Sequence, residues 1–411
     1  MRDVAIIGVG ANPKWGELWG QSLRDIFVEA ALAAMDDAGV DHIDSMYVGC
    51  MSSGIFAGQE HIGSLLADYL GQPHVPATRV ETACASGGAA VKMAALEVAS
   101  GHSDVVLAGG VEKMTDVGGG DATYALGTAA DAEYECYHGA TFPGLYAMIA
   151  RAHMDRYGTT PEMLAQVAVK NHDNGALNAK AQFGASIRQV MAQKVARAQA
   201  KGRPVPTWAD EMDFLHDDRA NPVIAWPMRL FDCSPISDGA AAVLLVAEEM
   251  VKSFTDDPIY VIGSGQASDA GLHDRPDLTS IGAARFAGQR AYEMAGVSPD
   301  DIKLAEVHDC FTIAEIMAIE DLSFFAAGRG YRAAEEGLTA RTGPKPVNTS
   351  GGLKSKGHPV GASGAGQVIE IWKQMRGEAG ARQVSGDVDL ALTHNVGGTG
   401  QTCVVHIYER R

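Results

Sequence analysis

Arg79-Val80-Glu81-Thr82-Ala83-Cys84-Ala85-Ser86-Gly87-Gly88-Ala89-Ala90 is the stretch on which the reading of this chain turns. An extended segment, Ala77 to Val80, leads into it. A helix through Val91, Ala94, Ala95, Leu96 and Val98 leads out and stops near Gly101. The junction sets Cys84 at or beside the first helical turn, where backbone N–H groups have no intrahelical partner. Those groups and the helix dipole are expected to stabilise a thiolate, making the thiol a nucleophile nearer neutral pH. The small residues from Ala83 to Ala90 admit close backbone approach and leave room for an acyl group. The plainer alternative is a buried, inert cysteine.

Outward from this stretch the chain alternates strands and helices, the grammar of an α/β layer structure. Val4 to Val9 reads as a strand, Ser22 to Ala38 as a helix closed by Gly39, Asp44 to Gly49 as a strand and His61 to Leu70 as a helix. Asp104-Val105-Val106-Leu107-Ala108 follows as a strand buried on both faces. Gly8 and Gly10 do not complete a GxGxxG, so a nucleotide loop is set aside. From Val117 to Cys233 the chain turns to Gly-, Tyr- and His-rich loops with helices at 146–157, 161–174 and up to Gly202. This segment is expected to be an insertion over the face of the first domain, with an independent small domain as the alternative. The α/β grammar resumes at Ser237 to Val246 and Pro258 to Gly263, then a helix over 283–295, a strand from Ile302 to Val307 and a helix from Thr312 to Leu322.

The second half echoes the first. Val347-Asn348-Thr349-Ser350-Gly351-Gly352 leads through Gly357-His358-Pro359-Val360-Gly361-Ala362-Ser363-Gly364-Ala365 into a helix toward Met375, and Asp389-Leu390-Ala391-Leu392 mirrors Asp104-Val105-Val106-Leu107. The pattern reads as an internal duplication. The expected divisions are 1–117 with 234–250 for the first half, 118–233 for the insertion and 251–411 for the second half.

Composition narrows the function classes. The chain has 411 residues, 46% of them apolar, enough for two or three domains with a sizeable core. No apolar run approaches the roughly 20 residues of a membrane span, and no signal-peptide pattern follows Met1, so a cytoplasmic protein is expected. Its six cysteines form no CxxC pair, which argues against a zinc knuckle or disulfide framework. A net charge of -18 disfavours nucleic-acid binding.

Candidate chemistry gathers at the carboxyl ends of expected strands: Cys84, His308-Asp309-Cys310-Phe311, Gly357-His358-Pro359 and His394-Asn395-Val396-Gly397-Gly398. A thiol with a nearby imidazole attacks a carbonyl and forms a thioester, and His358, held between Gly357 and Pro359, is the better partner for Cys84. A surface turn histidine is the alternative. His308 and Cys310 would share a face if the strand continued, where the second thiol could carry a proton; the alternative is a metal site, although a zinc spacing is absent. Asp309 is expected to cap the following helix. Phe142, Tyr146, Tyr157, Trp226, Met228 and Phe231 read as insertion core or pocket wall, Lys354 and Lys356 as a solvated loop with phosphate contact as the alternative, and Cys403 as core.

Together Glu81-Thr82-Ala83-Cys84-Ala85-Ser86-Gly87, Val307-His308-Asp309-Cys310-Phe311, Gly357-His358-Pro359-Val360-Gly361-Ala362-Ser363-Gly364 and His394-Asn395-Val396-Gly397 resemble the thiolase superfamily, in its sterol-carrier-protein-like and archaeal acetoacetyl-CoA thiolase branch. The resemblance spans essentially the whole chain. It implies a five-layer α-β-α-β-α fold made of two similar halves with an inserted loop domain. It further implies that Cys84 takes the acyl group, His358 activates Cys84 and Cys310 moves the α-proton. His308 would stand where many thiolases carry the Asn of Asn-Glu-Ala-Phe. One oxyanion hole would use His308 and His358, and another the backbone N–H groups of Cys84 and Gly397. Asn395 stands where biosynthetic thiolases place a second reactive cysteine, and Cys310 looks like its replacement.

The implied reaction is condensation of two acetyl-CoA to acetoacetyl-CoA, feeding the mevalonate route of isoprenoid biosynthesis, with no cofactor beyond the coenzyme A thioester and no metal. The implied partners are a second copy in a homodimer and, in a multienzyme complex, an OB-fold protein with a zinc ribbon and hydroxymethylglutaryl-CoA synthase. Rival readings are a thiolytic 3-ketoacyl-CoA thiolase of broader chain length, a decarboxylating condensing enzyme, which Cys310 argues against, and a noncatalytic acyl-CoA-binding subunit.

Overall fold

The computed structural model describes residues 2–411. Eleven strands occur in chain order: β1 (Val4–Ala11), β2 (Ser45–Gly49), β3 (Ala77–Val80), β4 (Val105–Glu112), β5 (Val223–Ala225), β6 (Met228–Arg229), β7 (Gly239–Ala247), β8 (Ile259–Ser268), β9 (Leu304–Glu306), β10 (Leu390–Gly397) and β11 (Thr402–Arg410). Apart from the β5-β6 hairpin they join one nine-stranded sheet of order β3-β2-β4-β7-β1-β8-β11-β10-β9. The sheet is nearly symmetric about its middle. On one side β2 runs parallel to β3 and β4, and β7 lies antiparallel to β4 and β1. On the other, β10 runs parallel to β9, and β11 lies antiparallel to β10 and β8. The two sides meet only where Ala5 pairs with Tyr260 and Ile6 with Ile259.

Strand alternation sorts the side chains into layers. On β7, Ala240, Ala242, Leu244 and Val246 pack on an outer layer of helices Leu23–Ala38 and Ile62–Tyr69. Ala241, Val243, Leu245 and Ala247 face a central layer instead, formed by helices Ser86–Ser100 and Ser363–Met375. On β11, Tyr408 faces that same central layer, while Cys403, Val405 and Ile407 face helices Gly282–Ala295 and Thr312–Asp321 on the far side. The result is the five-layer α-β-α-β-α arrangement.

Local chemistry explains the boundaries. Ser22 and Asp25 form a capping box at the start of the first helix, and Gly39, Gly101 and Gly296 end their helices in the left-handed conformation. Gly8 and Gly10 serve packing: a Cβ on them would stand 2.7 and 2.2 Å from the Ala34 and Ala30 carbonyl oxygens. The first helix therefore lies tight on β1, which is why the glycines there are not a phosphate loop.

The insertion departs from expectation. Its helices Phe142–Tyr157 and Pro161–Gly175 share a core with the second half, where Leu145, Tyr146, Ile149, Leu164 and Val167 pack among Phe311, Ile313, Ile316 and Met317. Burial of those apolar faces needs a partner surface, and the Thr312–Asp321 helix supplies it. The insertion thus covers the second half and is not confined to the face of the first.

Candidate active site

Cys84 follows Ala83, whose φ of 51° is a left-handed conformation rare for a residue with a side chain, and a helix begins at Ser86. Ala85 and Ala89 pack against Val404, so the loop that carries Cys84 is seated on the second half of the molecule. Where the central helices cross most closely, glycines face one another. A Cβ on Gly364 would meet the Gly88 nitrogen at 2.2 Å, and one on Gly87 would meet the Gly361 carbonyl at 2.7 Å. That close approach brings the residues before both helices to one place.

Cys84, Cys310, His358, Phe142, Phe311 and Gly398 line one cavity of about 230 Å³, with Met114, Val360 and Ile236 among its apolar walls. One donor atom each from Cys84, His308 and His358 lies within 4.8 Å of the others, and the His308 and His358 rings meet edge to face with centroids 5.1 Å apart. The structure thus brings together all four residues singled out in the sequence.

Each ring is held by a partner. His358 Nδ1 lies 2.7 Å from Ser363 Oγ, whose hydroxyl donates to the Pro359 carbonyl at 2.9 Å. With that hydrogen committed, Nδ1–H donates to Ser363 and Nε2 keeps the lone pair. The His358 backbone N–H donates to Ser237 Oγ at 2.8 Å. His308 Nδ1 lies 3.1 Å from the Asn395 amide nitrogen, and its Nε2 has no hydrogen-bond partner among the described residues. Cys310 is close to Tyr146, whose ring stacks on Phe311 at 4.5 Å and whose hydroxyl donates to the Gly398 carbonyl at 3.1 Å.

Burial reverses one expectation. The Cys84 thiol is pushed up to about 12, chiefly because its sulfur is removed from water, with Glu112 and Glu81 adding repulsion. The helix begins after Cys84, and hydrogen bonding from the Gly398 and Cys84 backbone only partly offsets the loss of hydration. Cys84 therefore rests as a neutral thiol and needs a base. His358, held down to about 3 by burial, is neutral and able to accept a proton. Burial also raises Cys310 and lowers His308, the latter helped by His358 and His394.

Other expectations shift with the tertiary structure. Gly398, one residue beyond the Gly397 named from the resemblance, lines the cavity and meets the Cys84 sulfur; Gly397 packs on the Thr82 carbonyl, 2.3 Å from where its Cβ would stand. Lys354 and Lys356 are buried, not solvated: Lys354 donates to the Cys233 carbonyl at 2.8 Å, and Lys356 pairs with Glu306 at 3.7 Å. Asp309 accepts from Leu353 N–H at 2.6 Å and Asn171 Nδ2 at 2.7 Å, so it ties down the Gly352–Lys356 helix and leaves the following one without a side-chain cap. Trp226 is 56% exposed and belongs to neither core nor pocket wall. Because β9 ends at Glu306, strand alternation does not govern His308 and Cys310. Ser363 has no role in the sequence reading, although a hydroxyl five residues past His358 at a helix start is a signal for it, and Tyr146, read there as insertion core or pocket wall, lies fully buried beside Cys310.

A metal does not fit the four central residues well. Cys84, His308 and His358 are the cluster with suitable separations among the described residues. With His308 Nδ1 already facing an N–H donor, its hydrogen falls on Nε2, and the two remaining ligands are fewer than a zinc site uses.

Comparisons agree with this architecture. Residues 8–249 match the family model "Thiolase, N-terminal domain", and residues 264–410 match "Thiolase C-terminal domain-like". The chain is 51% identical to "Acetyl-CoA acetyltransferase" of Methanothermobacter thermautotrophicus, over 100% of both chains. It is 34% identical to "Benzoylsuccinyl-CoA thiolase subunit BbsB" of Thauera aromatica, over 97% of this chain and 95% of that one. The solved structure "Ltp2-ChsH2(DUF35) aldolase" superposes with a TM-score of 0.79 at 26% identity, covering 99% of this chain and 98% of that chain.

Proposed function

The chain belongs to the thiolase family, and from that premise we propose that it is an acetyl-CoA C-acetyltransferase, condensing two acetyl-CoA to acetoacetyl-CoA through an acetyl-cysteine. The observation that carries this reading is the meeting of two thiols and a neutral, accepting imidazole on one cavity.

Proton accounting gives each group a task. As Cys84 sulfur attacks the acetyl carbonyl, its proton passes to His358 Nε2. Cys310, resting protonated because it is buried, gives its proton to the departing CoA sulfur. This leaves a Cys310 thiolate beside a His358 imidazolium. The thiolate removes the α-proton of the second acetyl-CoA, and the enolate carbon attacks acetyl-Cys84. The Cys84 sulfur then leaves and recovers its proton from His358. Two acetyl-CoA become acetoacetyl-CoA and CoA, and every group returns to its starting state. Negative charge on the thioester oxygens is met by N–H donors already in place, each contributing roughly 3 kcal/mol. Thiolysis uses the same groups in reverse.

The same reading extends to a cytoplasmic enzyme feeding the mevalonate route, working as a homodimer beside an OB-fold scaffold and hydroxymethylglutaryl-CoA synthase. Likeness to a chain solved with a DUF35 partner supports the multisubunit part. No helix among the described residues is long and apolar enough to cross a membrane. Incubation with acetyl-CoA followed by peptide mass spectrometry tests the core claim: acetyl on the Cys84 peptide is expected, and acetyl elsewhere with Cys84 free would overturn it.

A further inference from the structure

Asn395 lies on β10, 2% exposed, between the two halves. Its side chain meets three groups: Oδ1 accepts from Gly88 N–H at 3.1 Å, and Nδ2 lies 3.0 Å from the Cys84 carbonyl and 3.1 Å from His308 Nδ1. An amide with a backbone N–H at one end and a carbonyl at the other has a single workable orientation. Rotated by half a turn, it would set N–H against N–H and oxygen against oxygen. Nδ2 is therefore a donor toward His308, Nδ1 must accept, and the one hydrogen of the neutral ring sits on Nε2. That Nε2 is buried and unpartnered, beside Cys84 and His358.

We propose that Asn395 is a positioning residue that sets His308 in its Nε2–H tautomer, so that a Cys-His-His cluster works as nucleophile, base and oxyanion donor and does not trap a soft divalent cation. The catalytic half of this inference rests on the condensation reading; the tautomer does not. Ser363 imposes the opposite tautomer on His358, so two rings about 5 Å apart are assigned an acceptor and a donor by two different neighbours. The pairing also tells the nucleophile loop where to stand, because the same amide holds the Cys84 carbonyl and the Gly88 N–H.

The test begins with the unaltered protein. A nitrogen-15 histidine spectrum, with the His308 signals assigned by their loss in His308→Gln, is expected to show Nε2 protonated and Nδ1 bare. A ring protonated on Nδ1, or on both nitrogens, would overturn the proposal whether or not any variant folds. Asn395→Asp, studied at mildly alkaline pH where the new carboxyl is ionised, places an acceptor against Nδ1 and should move the hydrogen there. Condensation kcat should then fall about 10²- to 10³-fold, the loss of one oxyanion donor. Half-inhibition by Zn2+ should occur at a concentration lower by about tenfold or more, as Zn2+ displaces the Cys84 thiol proton and gains a third ligand. An Asn395→Asp protein that keeps the Nε2–H tautomer yet loses activity would reduce Asn395 to a structural role. If the unaltered protein does not condense acetyl-CoA, the function reading fails, while the spectrum and the zinc titration still decide the tautomer.

Discussion

The two halves of this molecule repeat a strand pattern, yet their equivalent helices begin differently. Before Ser86–Ser100 the chain makes a turn through Ala83 and presents a thiol two residues ahead of the helix. Before Ser363–Met375 it passes Gly357, with φ of 116°, and presents an imidazole five residues ahead. Both rely on glycine at the helix crossing. On the proposed reading, one half carries the acyl group, and the other supplies His308, Cys310 and His358 to handle protons and charge. The difference teaches that a duplicated scaffold delivers two loops to one point, while each loop acquires its own chemistry.

Removing one side's contribution should separate those chemistries. Cys84→Ala is expected to abolish acetyl transfer while leaving the thermal midpoint nearly unchanged, because a small buried side chain is lost at a cavity wall; acetyl incorporation by mass spectrometry and a melting curve check both. Cys310→Ala should form the acetyl-enzyme more slowly, having lost the proton donor to the departing CoA sulfur, and should lose about 10²- to 10⁴-fold in α-proton exchange with solvent, the worth of a general base. Undiminished exchange would remove Cys310 from the mechanism.

The crossing itself can be tested next. Gly364→Ala forces a methyl against the Gly88 nitrogen and Asn395 Oδ1, at 2.2 and 2.3 Å before relaxation. It should destabilise the protein by about 1–3 kcal/mol in denaturant unfolding and slow acylation as Cys84 and His358 are pushed apart. Ser363→Ala frees the His358 ring and should cost acylation roughly tenfold, equivalent to one hydrogen bond of about 1.4 kcal/mol.

The smallest effect is an absence of change with pH. Burial lowers His358 to about 3 and raises Cys84 to about 12, so base and thiol both hold their resting states across the range between. Single-turnover acylation should vary less than about twofold from pH 5.5 to 8, where a histidine at the ordinary value of about 6.5 would impose an acid limb. Such a limb, titrating with His358, would show that the ring is more hydrated than its surroundings indicate.

Much of this was legible beforehand. Periodicity and glycine stops placed the helices that end at Gly39, Gly101 and Gly296, because helix termination is a local backbone event. Cys84, His308, Cys310 and His358 could be singled out because glycine-flanked thiols and imidazoles at strand ends are conspicuous. The burial of Lys354 and Lys356 was not legible, since it depends on carbonyl and carboxylate partners on remote segments, Cys233 and Glu306. Asp309 misled for the same reason: its nearest helix in sequence is not the one whose N–H groups it meets.

By itself the sequence determined the order of elements, the duplication and the reactive residue types, since these depend on neighbours along the chain. Tertiary structure alone decided that Cys84 rests protonated and which nitrogen of each imidazole carries hydrogen. Those properties follow from lost water and from single hydrogen bonds to Ser363 and Asn395, and neither exists until the two halves close on each other.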